Sequence, residues 1–481
     1  MPFQPHHHRR IGRIVSRDTW LRILASSVAV FLLAAFGDIS SAADRPEKPN
    51  IIYILLDDAG YGDLSCYGQD KFETPNIDRL AKEGMRFTQH YSGSTVCAPT
   101  RCCLMTGMHT GHAVVRGNRE VKPEGQAPMP ADIVTIPRLL RANGYATGAF
   151  GKWGLGAPSS PSDPAEHFDL FFGYNCQREA HTYYPNHLWR NKEKVSMDGK
   201  THSADVIHGA ALDFIRSNKD KPFFMFVPTT IPHAAMHATE DYLPAFKEKF
   251  AEFNGTTGKY AGTETDNPIA AFAAMMTQVD DHVGQIVDLL QELSLDENTI
   301  ILLSSDNGPH REGGHDPEFF NSNGPLRGHK RDLYEGGIRA PLIARWPGQI
   351  EPDSISGLIS AHWDMLPTFC ELTGADAPAR VDGISLVNEL TGEGEQKQHD
   401  YLYWEFYERG GKRATRFGDW KAVQLNLNKQ AEPAIELFHL PTDVSEKKDV
   451  AAEHPDLVAK AKSIFTEAST PSSFWSFRGK K

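Results

Sequence analysis

The apolar run 51–56, preceded by Asn50 and closed by Asp57, Asp58 and Gly60, contains no polar break. It predicts a strand buried on both faces, as in a parallel sheet. A helix follows, with Thr74 as N-cap, Pro75 at the first helical position, Ile77, Leu80 and Ala81 as its apolar face, and Gly84 as its stop. Residues 85–91 read as the next strand. The alternation continues with a helix over 135–143 ended by Gly144, a strand over 145–150, a helix over 204–217 and a strand over 222–227. A long helix over 268–293 and a strand over 299–303 complete it. In that helix Phe272, Met275, Met276, Val279, Val283, Ile286, Val287 and Leu290 recur at helical spacing and predict a core face. Asp280, Asp281 and His282 are left for solvent.

Strands alternating with helices mean βαβ units. The predicted fold class is therefore α/β, a mostly parallel sheet sandwiched by helices. Past about Gly383 the pattern changes: 401–407 and 420–425 read as strands with no long helix between them, and 435–440 leads into a helix over 454–468. The chain divides accordingly into a main α/β domain over 44–383 and a small C-terminal α+β subdomain over 384–481. There is no fixed-period repeat.

Composition excludes disorder, since 40% hydrophobic and 23% charged residues are the proportions of a folded protein. A net charge of −12 without a long basic run excludes a nucleic-acid binder and leaves small ligands. Residues 1–43 read as a secretory signal. Arg9, Arg10, Arg13, Arg17 and Arg22 precede the apolar stretch 23–36, which falls short of the ~18 residues of a spanning helix, and Ser40, Ser41, Ala42 and Ala43 offer a cleavage site. This predicts a secreted or periplasmic protein with no stable membrane insertion after cleavage. All six cysteines lie beyond the signal. They are too sparse for a disulfide scaffold and match no CxxC zinc spacing.

Ligands of open α/β sheets bind outside the carboxyl ends of the strands. Asp57 and Asp58, then Cys97, Pro99 and Arg101, then Lys152, then His233, and finally Asp306 and Asn307 all follow predicted strands, so convergence at one edge is expected. Aspartates after a strand often only cap or turn. Together with Asp306 and Asn307, however, Asp57 and Asp58 form an all-oxygen set suited to a hard cation such as Ca²⁺ or Mg²⁺ rather than zinc.

Residues 97–101 form a CxPxR motif followed by Leu104-Met105-Thr106-Gly107, which resembles the signature of the formylglycine-dependent (type I) sulfatases of the alkaline phosphatase superfamily. Segments 50–63 and 74–87, GKWGLG at 151–156, Pro232-His233, SSDNG at 304–308, LRGHKRDLYEGGIRAP at 326–341 and ELFHLPTD at 436–443 resemble that family's segments in its order. The resemblance implies an alkaline-phosphatase-like fold and a sulfuric ester hydrolase of arylsulfatase type, with the catalytic domain over 44–383. It implies that a formylglycine-generating enzyme oxidises Cys97 to Cα-formylglycine, and that Asp57, Asp58, Asp306 and Asn307, with residue 97, bind Ca²⁺ in preference to Mg²⁺. It further implies that Arg101 and Lys152 hold the formylglycine, that Lys330 and His233 contact the sulfate, and that protonated His233 serves the leaving alkoxide as acid.

The chemistry favours such a modification. A thiolate attacking sulfur would be left as a stable S-sulfonate, whereas a hydrated aldehyde has one hydroxyl to attack and a second whose deprotonation expels sulfate. Pro99 suits the first turn of a helix whose dipole favours the anion. With a divalent cation, Arg101, Lys152 and Lys330 would leave the pocket at about +2 against its three aspartates.

One position departs from the family form GKWHLG: Gly154 stands where a histidine assists the second hydroxyl. His181 is taken as its replacement, with His109 and His112 as alternatives. Arg178, His181, Tyr183, Tyr184, Trp189, His310 and His315 are the expected pool of substrate contacts, and a sulfated small molecule or glycan the expected partner. Two other readings stay open: a phosphomonoester or phosphodiester hydrolase of the same superfamily, and a non-catalytic protein that binds sulfated glycans.

Overall fold

The structure, a computed structural model, describes residues 48–430 and 432–477; the expected signal segment, 1–43, lies outside them. Five parallel strands form the centre of a ten-stranded sheet: β1 (Asn50–Leu56), β2 (Ala146–Lys152), β3 (Leu170–Tyr174), β4 (Phe223–Pro228) and β5 (Thr299–Ser305). Their spatial order is β5-β1-β4-β2-β3. Shorter strands extend both edges. Leu342–Arg345 runs antiparallel to β5 and carries Met85–Phe87 and Ser354–Ser356 beyond it, while His187–Arg190 and Glu193–Ser196 continue from β3.

β1 shows why its sequence has no polar alternation. Ile51, Tyr53 and Leu55 enter one core with residues of the helices Cys97–Thr106, Ile136–Ala142 and Met365–Thr373. Ile52, Ile54 and Leu56 enter the other, with the helices Pro75–Lys82, Ser203–Asn218 and Pro268–Glu292. Both faces are thus covered, as a parallel sheet requires. The eight core positions predicted on the long helix are all buried.

Three sequence expectations are corrected. Asp280 is fully buried, not solvated: its carboxylate accepts from Ile77 N at 2.8 Å, Asn76 N at 3.1 Å and Asn76 Nδ2 at 2.9 Å. It caps the helix Pro75–Lys82 across space, in place of a Thr74 side-chain cap. Residues 85–91 are not one strand, because the chain leaves the large sheet after Phe87 and His90–Tyr91 pairs with Ser360–Ala361. Cys97 is therefore delivered by the start of a helix and not by the end of a parallel strand. The C-terminal sheet has four antiparallel strands, Leu402–Phe406, Lys412–Phe417, Trp420–Leu425 and Ile435–His439, of which the second was not foreseen. Its basic residues conceal it: Lys412 is spent on Asp332 at 2.8 Å, and Arg416 donates to Tyr91 Oη.

That small sheet is held from two sides. Tyr403, Phe417, Ala422 and Leu437 pack with the helix Pro455–Glu467, while Trp404, Phe406 and Val423 join the core shared with Tyr91 and Trp363. Among the described residues no disulfide forms, the six cysteines being free, and no helix is long and apolar enough to cross a membrane.

Candidate active site

Register brings the chemistry together. Leu56 of β1 lies opposite Ser305 of β5, and Asp306 N donates to Leu56 O at 3.0 Å, so Asp57 and Asp306 emerge side by side. Asp58 follows in a left-handed backbone, φ +68°, a conformation uncommon outside glycine that is held here by its N–H donating to Asp306 Oδ1 at 3.1 Å. β2 ends on Lys152, and the loop after β4 carries His233. All of these side chains are buried.

Cys97 opens a ten-residue helix whose N-cap, Val96, supplies no side-chain acceptor. The first-turn N–H groups of such a helix face an anion favourably. One of them is already used, since Ala98 N donates to Asn118 Oδ1 at 3.1 Å. Cys97 Sγ lies 3.4 Å from Lys152 Nζ and 3.5 Å from Asp57 Oδ1. Burial pushes the thiol well above its ordinary pKa; Lys152 opposes the shift and Asp57 adds to it. An unmodified Cys97 is therefore a protonated, poor nucleophile.

The basic residues divide their work. Lys152 Nζ lies 2.5 Å from Asp57 Oδ2, and Lys330 Nζ lies 2.6 Å from Asp58 Oδ2. Fully buried Arg101 contacts Asp306 at 2.9 Å and Asp57 at 3.4 Å, and donates to the Lys152 carbonyl. It braces the carboxylates and the end of β2, while Lys152 is the base that reaches Cys97. Burial alone would raise Asp57, but Lys152, His233 and Arg101 outweigh it and bring the group to about 2. In Asp58 the same burial is overcome chiefly by Lys330. Asp306 goes the other way: burial and the neighbouring Asp57 push it up to about 7, against Arg101. One carboxyl of three thus lacks sufficient positive charge.

That imbalance tests the residues for a cation. Asp57, Asp58, Asp306 and the buried Asn307 Oδ1, which has no hydrogen-bond partner among the described residues, are hard oxygen donors. Ligand atoms of Asp57, Asp58, Cys97 and His233 also lie within 4.8 Å of one another. The set fits a divalent cation.

His233 Nε2 is 3.5 Å from Asp58 Oδ2, and Nδ1 contacts the Ala234 carbonyl. Burial and then Lys330 lower its pKa, while Asp58 and Asp57 oppose the shift. Asp58 outweighs burial and holds Lys330 above its ordinary range, so its ammonium stays charged. His181 stacks on His233 with ring centroids 5.2 Å apart and 2° between planes, and Tyr260 meets both rings edge-on. Burial, with Lys152 and Lys330, lowers His181 to about 4, so it is neutral near pH 7.

The remaining expected contacts scatter. His310 forms the wall beside His233, its Nδ1 accepting from Glu312 N at 3.0 Å. His315 stacks on Phe272 at 3.9 Å and lies against His310, both of its ring nitrogens buried without a hydrogen-bond partner among the described residues. Tyr183 is wholly buried and donates to the Thr230 and His233 carbonyls, positioning the loop from below. Tyr184 packs on His202 and His237, and Trp189 donates to Glu124 at 2.6 Å. Arg178, an exposed side chain, pairs with Glu120 and Glu179. His109 and His112 stack on each other against Asp382, which makes them a clamp between loops and removes them as alternatives to His181. Gly154 is left-handed, φ +75°, and a Cβ there would come within 3.0 Å of Gln177 Nε2. Gln177 thus fills the space that a larger residue 154 would enter. Sequence reasoning missed Glu312, Arg331 and Tyr260, which lie on loops or a small hairpin without periodicity.

Residues 49–375 match the sulfatase family, and 328–467 match the C-terminal region described as N-sulphoglucosamine sulphohydrolase, C-terminal. N-acetylgalactosamine-6-sulfatase of Rattus norvegicus is 32% identical, over 83% of this chain and 75% of the relative. N-acetylgalactosamine-6-O-sulfatase of Bacteroides thetaiotaomicron is 28% identical, over 88% and 94%. The crystal structure of Ps i-CgsB superposes with a TM-score of 0.75 at 26% identity, covering 90% of this chain and 95% of that one. With the family match spanning more than half its length, the chain belongs to the sulfatase family and is a sulfuric ester hydrolase.

Proposed function

We propose that this is an exported sulfatase hydrolysing sulfate monoesters of a carbohydrate, with formylglycine at position 97 and Ca²⁺ held by Asp57, Asp58, Asp306 and Asn307. The observation that carries the reading is Cys97 at a helix N-terminus with Lys152 Nζ 3.4 Å and Asp57 Oδ1 3.5 Å from its sulfur. The sugar follows from the relatives' names, N-acetylgalactosamine-6-sulfatases, and from a related structure solved with k-i-k-neocarrahexaose at 27% identity. Residues 1–43 are the export signal, 44–383 the catalytic domain and 384–481 the C-terminal subdomain.

A hydrated formylglycine would supply one hydroxyl to attack sulfur and a second whose deprotonation releases sulfate. This chain's residues do the rest. Lys152 orients residue 97 and lowers the cost of negative charge on it; Lys330 and His233 contact the sulfate, and His233, protonated in the loaded site, serves the leaving alkoxide. The helix N-terminus adds its dipole. His181, stacked on His233 and neutral near pH 7, is the residue we assign to take the proton that a histidine at 154 would have taken. His181→Ala is therefore expected to lower kcat by roughly 100- to 1000-fold, with sulfated enzyme accumulating in intact-mass spectra. Unchanged turnover would remove His181 from this role.

Formylglycine is tested by mass spectrometry of the tryptic peptide containing residue 97 in protein from its native host. The expected peptide is about 18 Da lighter than the cysteine form. An unmodified peptide in active protein rejects formylglycine, and an unmodified peptide in inactive protein supports glycan binding without catalysis. A kcat/KM on aryl phosphate exceeding that on aryl sulfate would favour the phosphoester hydrolase.

A further inference from the structure

Lys330 is followed by an arginine in a left-handed backbone, Arg331 at φ +77°. Residues other than glycine keep such a conformation only when their surroundings over-determine it, and such residues concentrate at ligand clamps. Arg331 is held at three points. Its N–H donates to Thr95 O at 3.0 Å, its carbonyl accepts from Lys412 Nζ at 2.5 Å, and its Nη1 lies 2.6 Å from Glu312 Oε1. Glu312 is fixed in turn by its N–H donating to His310 Nδ1.

This assembly forms a rim above the sulfate site. The Arg331 and Glu312 side chains are 19% and 21% exposed, whereas Lys330, which shares Glu312 with Arg331, is 2% exposed, so the guanidinium is reached from solvent more readily than the ammonium. The other carboxylate oxygen of Glu312 is 3.5 Å from Lys330 Nζ. Glu312 thus bridges Arg331 and Lys330, and Lys330 is already paired with Asp58 at 2.6 Å, so what the rim offers a substrate is a part-exposed guanidinium fork next to the sulfate-binding ammonium. Through Glu312, and as the residue after Lys330 in the chain, Arg331 is tied to the ammonium that pairs with Asp58. A planar guanidinium fork suits paired oxygens of a carboxylate or sulfate better than lone hydroxyls.

We propose that Arg331, braced by Glu312, binds a second anionic group of the substrate, on the sugar bearing the cleaved sulfate or on its neighbour. The proposal rests on the sulfatase reading of the site and narrows its substrate to saccharides with at least two negative groups. The second group is a carboxylate or another sulfate.

The test measures kcat/KM of wild type, Arg331→Gly and Arg331→Lys on a monosulfated hexosamine, a disulfated hexosamine and a disaccharide joining a uronate to the monosulfated hexosamine. Glycine accepts φ +77° without strain, so Arg331→Gly removes the guanidinium while sparing the fold, with Tm as the check. Wild type should prefer at least one dianionic substrate, and Arg331→Gly should shrink that preference roughly 10- to 100-fold, mainly through KM. Arg331→Lys should restore part of it. The substrate whose preference collapses identifies the second group. A preference unchanged in Arg331→Gly, or a wild type that favours the monosulfated sugar, overturns the proposal and leaves the sulfatase reading intact. A wild type that hydrolyses none of these nor an aryl sulfate overturns the reading beneath it.

Discussion

Cys97→Ala is expected to lower kcat on an aryl sulfate by at least about 10,000-fold, the loss that follows removal of a covalent nucleophile. The fold should tolerate the change. Cys97 is 2% exposed, so the small void costs about 1 kcal/mol, and the variant should bind sulfate esters it no longer turns over. Cys97→Ser sharpens the expectation, because serine offers one hydroxyl where a hydrated aldehyde has two. With Lys152 and the helix N-terminus still in place, the introduced hydroxyl can attack sulfur, but there is no second hydroxyl with which to expel the sulfate. A single turnover should leave the protein about 80 Da heavier in intact-mass spectra. Repeated turnover by Cys97→Ser would show that the second hydroxyl is unnecessary, and full activity in Cys97→Ala would move the nucleophile elsewhere.

The parallel strands were legible because both faces of each are buried, so 51–56 and 299–303 carry long apolar runs. Their ends were legible for the same reason: a polar residue after such a run can only lie at the sheet's edge. Thus Asp57, Lys152, His233 and Asp306 were found together before any geometry was known. What depends on distant partners was not legible. Asp280 sits on a helix face that solvent would suit equally well, and only the approach of Asn76 and Ile77 turns it into a cap. Gly154 reads as a missing histidine, and nothing in the chain says that Gln177 fills that space. Lys412–Phe417 reads as polar because its charges are matched by Asp332 and Tyr91, residues far away in sequence. His315 entered the pool of substrate contacts as a polar aromatic residue, and the chain alone does not show that its ring stacks on Phe272.

Removal of divalent cations is expected to lower Tm on the order of 5 °C or more at pH 8 and much less at pH 5.5. The sign follows from Asp306. Its folded pKa, about 7, is raised above the ordinary 3.8, so the cation-free folded protein holds a proton that the unfolded chain has already released. Stability of the cation-free protein therefore falls as pH rises from about 4 through 7, by up to about 4 kcal/mol before solvent and neighbour relaxation. Asp57, brought down to about 2, has the opposite sign: its contribution is present above 3.8 and lost only as pH falls toward 2, outside this window. A cation supplies the charge that the proton otherwise provides, so its stabilisation grows with pH. Ca²⁺ should restore Tm at lower concentration than Mg²⁺, because side-chain oxygens of this kind suit the larger ion. Asp306→Asn separates the explanations. The neutral amide needs neither proton nor cation, so in chelator at pH 8 this variant should be more stable than wild type while its turnover falls. A Tm indifferent to chelator at both pH values, or an Asp306→Asn protein less stable than wild type in chelator at pH 8, would show that the three carboxylates are balanced by Arg101, Lys152 and Lys330 alone.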